Sequence, residues 1–335
     1  VNRVRTFAPG LALAALVATA AVPAGKALPM IGAPVLALGA GAAAGIVLRQ
    51  REATDELFGP GLEVARQRLL GLAIVLLGLG LPLGSVLSVG RETAVVLIGT
   101  LVVGAVAAFC VGRMLAVDRE SATLVAVGTT ICGASAIAAA TAVLRPDKQR
   151  VAYALGTIFV FNVAAVLVYP PLGRALGLSQ EAFGLWAGTA INDTSSVLAA
   201  GVVFGAGAAH FAVIVKLMRS LAIIPLCLGL HVGRRHLVEE TGAPAGSLRQ
   251  AFPLFVVLFL AASIVAGLGI LPTALTTPSA ATSSWLIAAV LAAIGTSLSI
   301  ERLRSAGIRP LVLGGALGLI LGGASLGLMY LTGWC

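Results

Sequence analysis

Two apolar stretches of this 335-residue chain carry polar groups of a kind that does chemistry. In "AGTAINDTSSVLAAG", residues 187–201, Asn192 and Asp193 stand near the middle of an apolar run. Downstream, "VKLMRSLAIIP" places Lys216 and Arg219 three residues apart, which puts them on one helix face. An ionised side chain at bilayer mid-depth costs at least about 2.5 kcal/mol on insertion scales, so such groups face a cavity or a partner. Two roles fit. Asp193 and Arg219 could form a structural ion pair, which would disqualify the carboxylate as a proton carrier. Alternatively the cluster holds a substrate or a coupling ion, with Asn192, Thr194 and Ser195 beside the carboxylate. Lys216 lies about 9 Å into its span and can snorkel to the outer surface, whereas Arg219 is deeper.

A second pattern joins "GTTICGASAIAAAT", residues 128–141, with "AIGTSLS", residues 293–299. Both concentrate small and polar residues inside apolar runs. An interrupted helix leaves backbone N–H and C=O groups unpaired, which hydrocarbon does not tolerate unless protein or a water-filled cavity satisfies them. Half-helices beginning near Ala134 and Thr296 would aim their N–H groups and positive dipole ends at the breaks, an arrangement suited to an anion. The candidate ligand groups are therefore Thr130, Cys132, Gly133, Ala134 and Ser135 in one cluster and Gly295, Thr296 and Ser297 in the other. The competing reading is close helix packing through small residues, which we prefer for Gly314, Gly318 and Gly322.

These residues need membrane helices to position them. Apolar residues make up 59% of the chain and charged residues 10%, far from the roughly 25% charge of a soluble domain. Eleven runs are long enough to cross a bilayer: 8–24, 30–48, 64–86, 92–114, 120–143, 149–170, 182–204, 208–232, 250–271, 283–301 and 308–331. The first follows Arg3 and Arg5 and resembles a secretory signal peptide, but we read it as a membrane helix. The net charge of +9 sits in short loops without the basic stripe of a nucleic-acid binder. Arg49, Arg51, Arg66, Arg68, Arg234, Arg235, Arg302, Arg304 and Arg309 cluster on one side, predicting a cytoplasmic N-terminus and an external C-terminus. Cys110, Cys132, Cys227 and Cys335 lack metal or redox spacing. Asn162 reads as interhelical glue, and no hydrolase, zinc-protease or nucleotide fingerprint is present, so an enzyme is not expected.

An odd span count suggests one extra helix plus two five-helix units. Arg68, Leu70 and Gly78 recur as Arg219, Leu221 and Gly229 at one offset, and Gly133 and Ser135 as Gly295 and Ser297 at another. The expected fold is thus an all-α polytopic membrane protein: an N-terminal helix over 1–29 and an inverted repeat of 30–175 and 176–335, with spans 5 and 10 broken.

"TICGASAIAA", "INDTSSVLAAG", "VKLMRSLAIIP" and "SAGIRPL" resemble the YeiH-type conserved bacterial inner-membrane proteins, a family commonly called sulfate exporters. The resemblance covers nearly the whole chain. It implies a bacterial secondary transporter similar in fold to sodium/proton antiporters and bile-acid symporters. Spans 5 and 10 would then cross in a core of spans 4–6 and 9–11, facing a panel of spans 2, 3, 7 and 8 that carries Asp193 and Arg219. Some relatives have His-Glu where Asn192-Asp193 stand, so the carboxylate is kept and a group titrating near neutral pH is lost.

The expectation is a multi-pass carrier in the bacterial inner membrane that moves a small anion, sulfate or a related sulfur species, by alternating access. Arg219 and Lys216 would supply positive charge. The alternative is a cation antiporter in which Asp193 binds the ion. No cofactor is expected beyond a coupling H+ or Na+. The partners are the anion and the lipid bilayer, not nucleic acid, and GxxxG patterns permit a homodimer.

Overall fold

A computed structural model describes residues 2–27, 32–49, 53–79, 82–144, 146–226, 228–230, 254–268, 273–296 and 308–334. Every regular element among them is a helix. Five helical segments are long and apolar enough to cross a membrane: Thr6–Gly25, Ala94–Met114, Gln149–Ala175, Ala206–Leu230 and Ile308–Leu331. The pair Leu70–Gly78 and Leu83–Glu92, bent by 101° at the break between them, makes a sixth when counted as one span. Of the eleven spans expected from hydropathy, two of them broken, the described residues supply these five or six. Apolar content alone does not keep a helix straight where glycines and caps interrupt it.

The chain packs as two compact units. Residues 1–88 and 254–300 form one, and residues 89–253 and 301–335 the other, so each draws on both halves of the sequence. In the first unit, α1 (Asn2–Ala27) packs against α2 (Gly32–Arg49) and α3 (Ala53–Val64). A π-helical turn links α3 to α4 (Leu70–Gly78), and α5 (Leu83–Glu92) follows. The second unit begins in earnest with α6 (Ala94–Met114). Next come α7 (Arg119–Val127), extended by a π-helical turn over Gly128–Cys132, α8 (Ala134–Leu144) and α9 (Lys148–Ala175). Then follow α10 (Gln180–Ala190), α11 (Thr194–Phe204) and α12 (Ala206–Ser220). The chain returns to the first unit with α13 (Leu254–Gly267) and α14 (Thr273–Thr296), and α15 (Ile308–Leu331) completes the second.

Side-chain caps set the starts of the helices that matter here. Asp118 accepts from the Ser121 N–H at 3.0 Å ahead of α7, and Asp147 from Gln149 N–H at 3.2 Å ahead of α9. Ser179 accepts from the Ala182 N–H at 3.1 Å ahead of α10. Each cap satisfies a backbone donor that the helix leaves without an internal partner. Arg150, at the start of α9, reaches Asp118 at 3.4 Å and also pairs with Glu120, tying the entry of α7 to that of α9. Burial of the Asp118 carboxyl would raise its pKa, but the Ser121 hydrogen bonds and the Arg150 charge hold it below the usual carboxylate value.

Candidate functional site

Within the second unit two chain reversals meet. The first is at Gly133, whose φ of 69° and ψ of −131° belong to a region that glycine alone enters readily. After it the chain turns back. The Ile137 Cδ1 lies 2.8 Å from where a Cβ on Gly128 would stand, although residues nine apart in a continuous helix are separated by about 13.5 Å. The second reversal is at Ile191–Asp193. Ile191 and Asp193 have extended backbone (ψ 137° and 143°), and α11 starts immediately after them. At the far ends of α10 and α11 the Gln180 Oε1 accepts from the Ala208 N–H at 3.1 Å and lies 2.7 Å from a Cβ position on Gly205. Along one straight helix Gln180 and Gly205 would be about 37 Å apart. Residues 182–204, expected to span the membrane once, are instead a helical hairpin with Asn192 at its turn.

The two turns touch. A Cβ on Gly133 would stand 3.2 Å from the Asp193 Cβ and 3.3 Å from its Cα. Neighbouring helices clamp the second turn. From α9, the buried Asn162 Oδ1 accepts from the Asp193 N–H at 3.2 Å. From α12, the Lys216 Nζ donates to the Ile191 carbonyl at 2.7 Å, capping the C-terminal end of α10. Asp193 accepts from the Ser195 N–H at 3.0 Å and from the Ser195 hydroxyl, so its carboxylate serves as the N-cap of α11. The Ser220 hydroxyl accompanies the Cys132 thiol of the first turn and donates to the Lys216 carbonyl at 2.8 Å.

Arg219 stands one helical turn beyond Lys216 and is 1% exposed. Its Nε, Nη1 and Nη2 have no hydrogen-bond partner among the described residues. Asp193 does not supply one, since no ion pair joins the two among the described residues, and the structural ion pair weighed from the sequence is not formed. The Asn192 Oδ1 is likewise buried without a partner among the described residues. Lys216 is 0% exposed, so it does not snorkel outward; its reach is spent on the hairpin turn. Cys132 and Tyr169 lie close enough to Arg219 to feel its charge, and Cys132 and Asp193 bear on Lys216 in the same way.

The second cluster expected from the sequence behaves differently. Gly295 and Thr296 belong to the other unit and end a helix that is continuous from Thr273. A Cβ on Gly295 would be 2.7 Å from the Ala42 nitrogen, so this glycine permits α14 to lie against α2. The Thr296 hydroxyl bonds back to the Ala293 carbonyl at 2.8 Å, as the Thr130 hydroxyl does to Ala126 at 2.7 Å. Ser297 lies outside the described residues. Cys132, Gly133, Asn192, Asp193, Thr194, Ser195, Lys216 and Arg219 gather at the meeting turns, with Ala134 and Ser135 opening α8 beside them. Asn162 is the contributor that the sequence had ranked as glue.

A sequence signal for this geometry does exist. "GTTICGASAIAAA", residues 128–140, aligns with "GTAINDTSSVLAA", residues 188–200, placing Gly128 on Gly188, Thr129 on Thr189, Ile131 on Ile191 and Ser135 on Ser195. Gly133 aligns with Asp193, so the two touching turns are the corresponding positions of a short internal repeat.

A helical protein of membrane-spanning segments, with two helix-interrupting turns meeting around buried cations, is the class that this fold and site define. The chain belongs to the family described as conserved hypothetical protein 698, which matches residues 9–314. It is 37% identical over 336 residues to a UPF0324 membrane protein of Streptococcus mutans, covering 97% of each chain. A UPF0324 membrane protein of Streptococcus pyogenes is 38% identical over 314 residues, covering 91% of each, and one of Streptococcus agalactiae is 37% identical over 323 residues, covering 93% of this chain and 94% of the relative. No solved structure matches the chain.

Proposed function

We propose that this protein is a secondary transporter that moves a small anion across the bacterial plasma membrane by alternating access, with sulfate or a related sulfur oxyanion as the leading substrate. The observation that carries this reading is the Arg219 guanidinium, buried with all three nitrogens unpartnered among the described residues. A planar fork of five N–H donors matches an oxyanion bidentately, and a buried cation without a partner is costly unless a ligand completes it. Helix α8 begins at the same meeting point, adding its positive end. Irregular backbone at membrane depth is tolerated where it lines a cavity, and substrate sites of secondary carriers form at discontinuous helices.

A cation antiporter would need the Asp193 carboxylate for its ion. That carboxylate is engaged in capping α11, which favours a role in shaping the turn. Radiolabelled sulfate counterflow in proteoliposomes tests the proposal. Exchange by wild type that Arg219→Ala abolishes and Asp193→Asn largely preserves supports the anion site. Exchange that survives Arg219→Ala refutes it. A correctly folded wild type that exchanges sodium for protons, and loses this on Asp193→Asn, would support the cation reading instead.

A further inference from the structure

The charge balance of the site leads to its coupling, on the basis of the anion reading above. We propose that Lys216 is the proton-coupling group of this carrier, taking up one proton together with each anion so that one unit of the anion's negative charge moves compensated.

Four observations converge on Lys216. It is 0% exposed and stands three residues before Arg219 on the same face of α12. Its Nζ makes one hydrogen bond among the described residues, to the Ile191 carbonyl at 2.7 Å, where a charged ammonium would have three donors to place. The charged and titratable groups that bear on it are Arg219 from its own helix, Cys132 from the first turn and Asp193 from the second. The Asp193 carboxylate is held by Ser195 rather than by the lysine.

Charge counting supplies the link. Arginine keeps its proton under all working conditions, whereas a lysine can exchange one. With Asp193 negative and Arg219 positive, a neutral Lys216 amine leaves the cluster balanced, and a single hydrogen bond to Ile191 satisfies its main donor. An arriving monovalent anion, or one face of a divalent one, adds a negative charge that a protonated Lys216 cancels. Like charges three residues apart disfavour each other, and an anion placed between them relieves that repulsion, so anion and proton each favour the other's binding. The hydrogen bond from Lys216 to the hairpin turn ties this event to the element that carries Asn192 and Asp193.

The test is calorimetric. Sulfate and thiosulfate are titrated into the detergent-solubilised full-length protein in buffers of different ionisation enthalpy, which reports protons bound per anion. We expect close to one proton taken up by wild type and none by Lys216→Met or Lys216→Arg, the first lacking a titratable group and the second being permanently charged. Above the pH at which wild type must acquire that proton, its affinity should fall about tenfold per pH unit while that of Lys216→Arg stays flat. Anion binding without proton uptake, or uptake unchanged in both variants, overturns the inference while leaving the anion site standing. Failure of both anions to bind folded wild type removes the anion site and this inference together.

Discussion

Replacing Arg219 with methionine should make the protein more stable and unable to hold its substrate. Methionine is unbranched and adapts to the channel that a buried arginine stem occupies, so the packing loss is small. What disappears is a guanidinium whose three nitrogens have no partner among the described residues at 1% exposure. Each buried unpaired donor group costs roughly 1–3 kcal/mol, and charged ones more, while methionine forgoes some dispersion contact. The net expectation is a gain of about 2–4 kcal/mol. Domains of 150–250 residues shift by roughly 2–4 °C per kcal/mol, so for this larger chain a rise of about 4–8 °C is anticipated. Thermal unfolding in detergent at one fixed scan rate reads it, because unfolding of such proteins is governed by rate. Sulfate at one hundred times its dissociation constant should stabilise wild type by about 2.7 kcal/mol and leave the variant unmoved. A destabilisation of about 3–5 kcal/mol would refute the reasoning, since that is the signature of breaking a buried ion pair. It would mean that Arg219 has a structural partner and is not the group that waits for an anion.

Two further outcomes follow from the turns and the caps. Gly133→Ala forces a side chain into φ 69° and sets its Cβ 3.2 Å from that of Asp193, so a loss of about 1–3 kcal/mol in thermal unfolding is expected, together with a fall in counterflow as the two turns are pushed apart. Unchanged stability would show that the turns do not meet as described. Asp118→Ala removes the N-cap of α7 and should cost about 1 kcal/mol. Because the folded carboxyl sits below its ordinary value of 3.8, the contribution is complete above that pH and fades as the pH falls through the folded value. Wild type and Asp118→Ala should therefore differ at pH 6 and converge in strong acid; a constant difference would contradict the cap.

Several parts of the candidate site are legible in the sequence. Asp193 and Arg219 stand out because ionisable groups are expensive in hydrocarbon, and their types announce it without reference to neighbours. The interruption at Gly133 was legible for the same reason, as a small and polar cluster inside an apolar run. Gly295 carries a similar local signature and packs α14 onto α2 instead. A glycine reports only that no Cβ is present; whether the space is used for a turn or for a neighbouring helix depends on what stands opposite. Lys216 illustrates the same limit. Its distance from the span end was compatible with snorkelling, but an unsatisfied carbonyl at Ile191 offered a nearer partner.

By itself the sequence determined that this is a helical membrane protein, since 59% apolar and 10% charged residues leave no other solvent for its surface. It also determined which polar residues had to be accounted for. Tertiary structure alone decided that residues 182–204 reverse instead of crossing, because the hairpin is held by Gln180 against Ala208 and by Arg174 donating to the Val203 carbonyl at 2.6 Å. It decided, too, that Asp193 caps a helix while Arg219 has no hydrogen-bond partner among the described residues. Hydropathy records how much each residue favours lipid, but pairing depends on which groups a fold brings within about 3 Å, and that is a property of the packed chain.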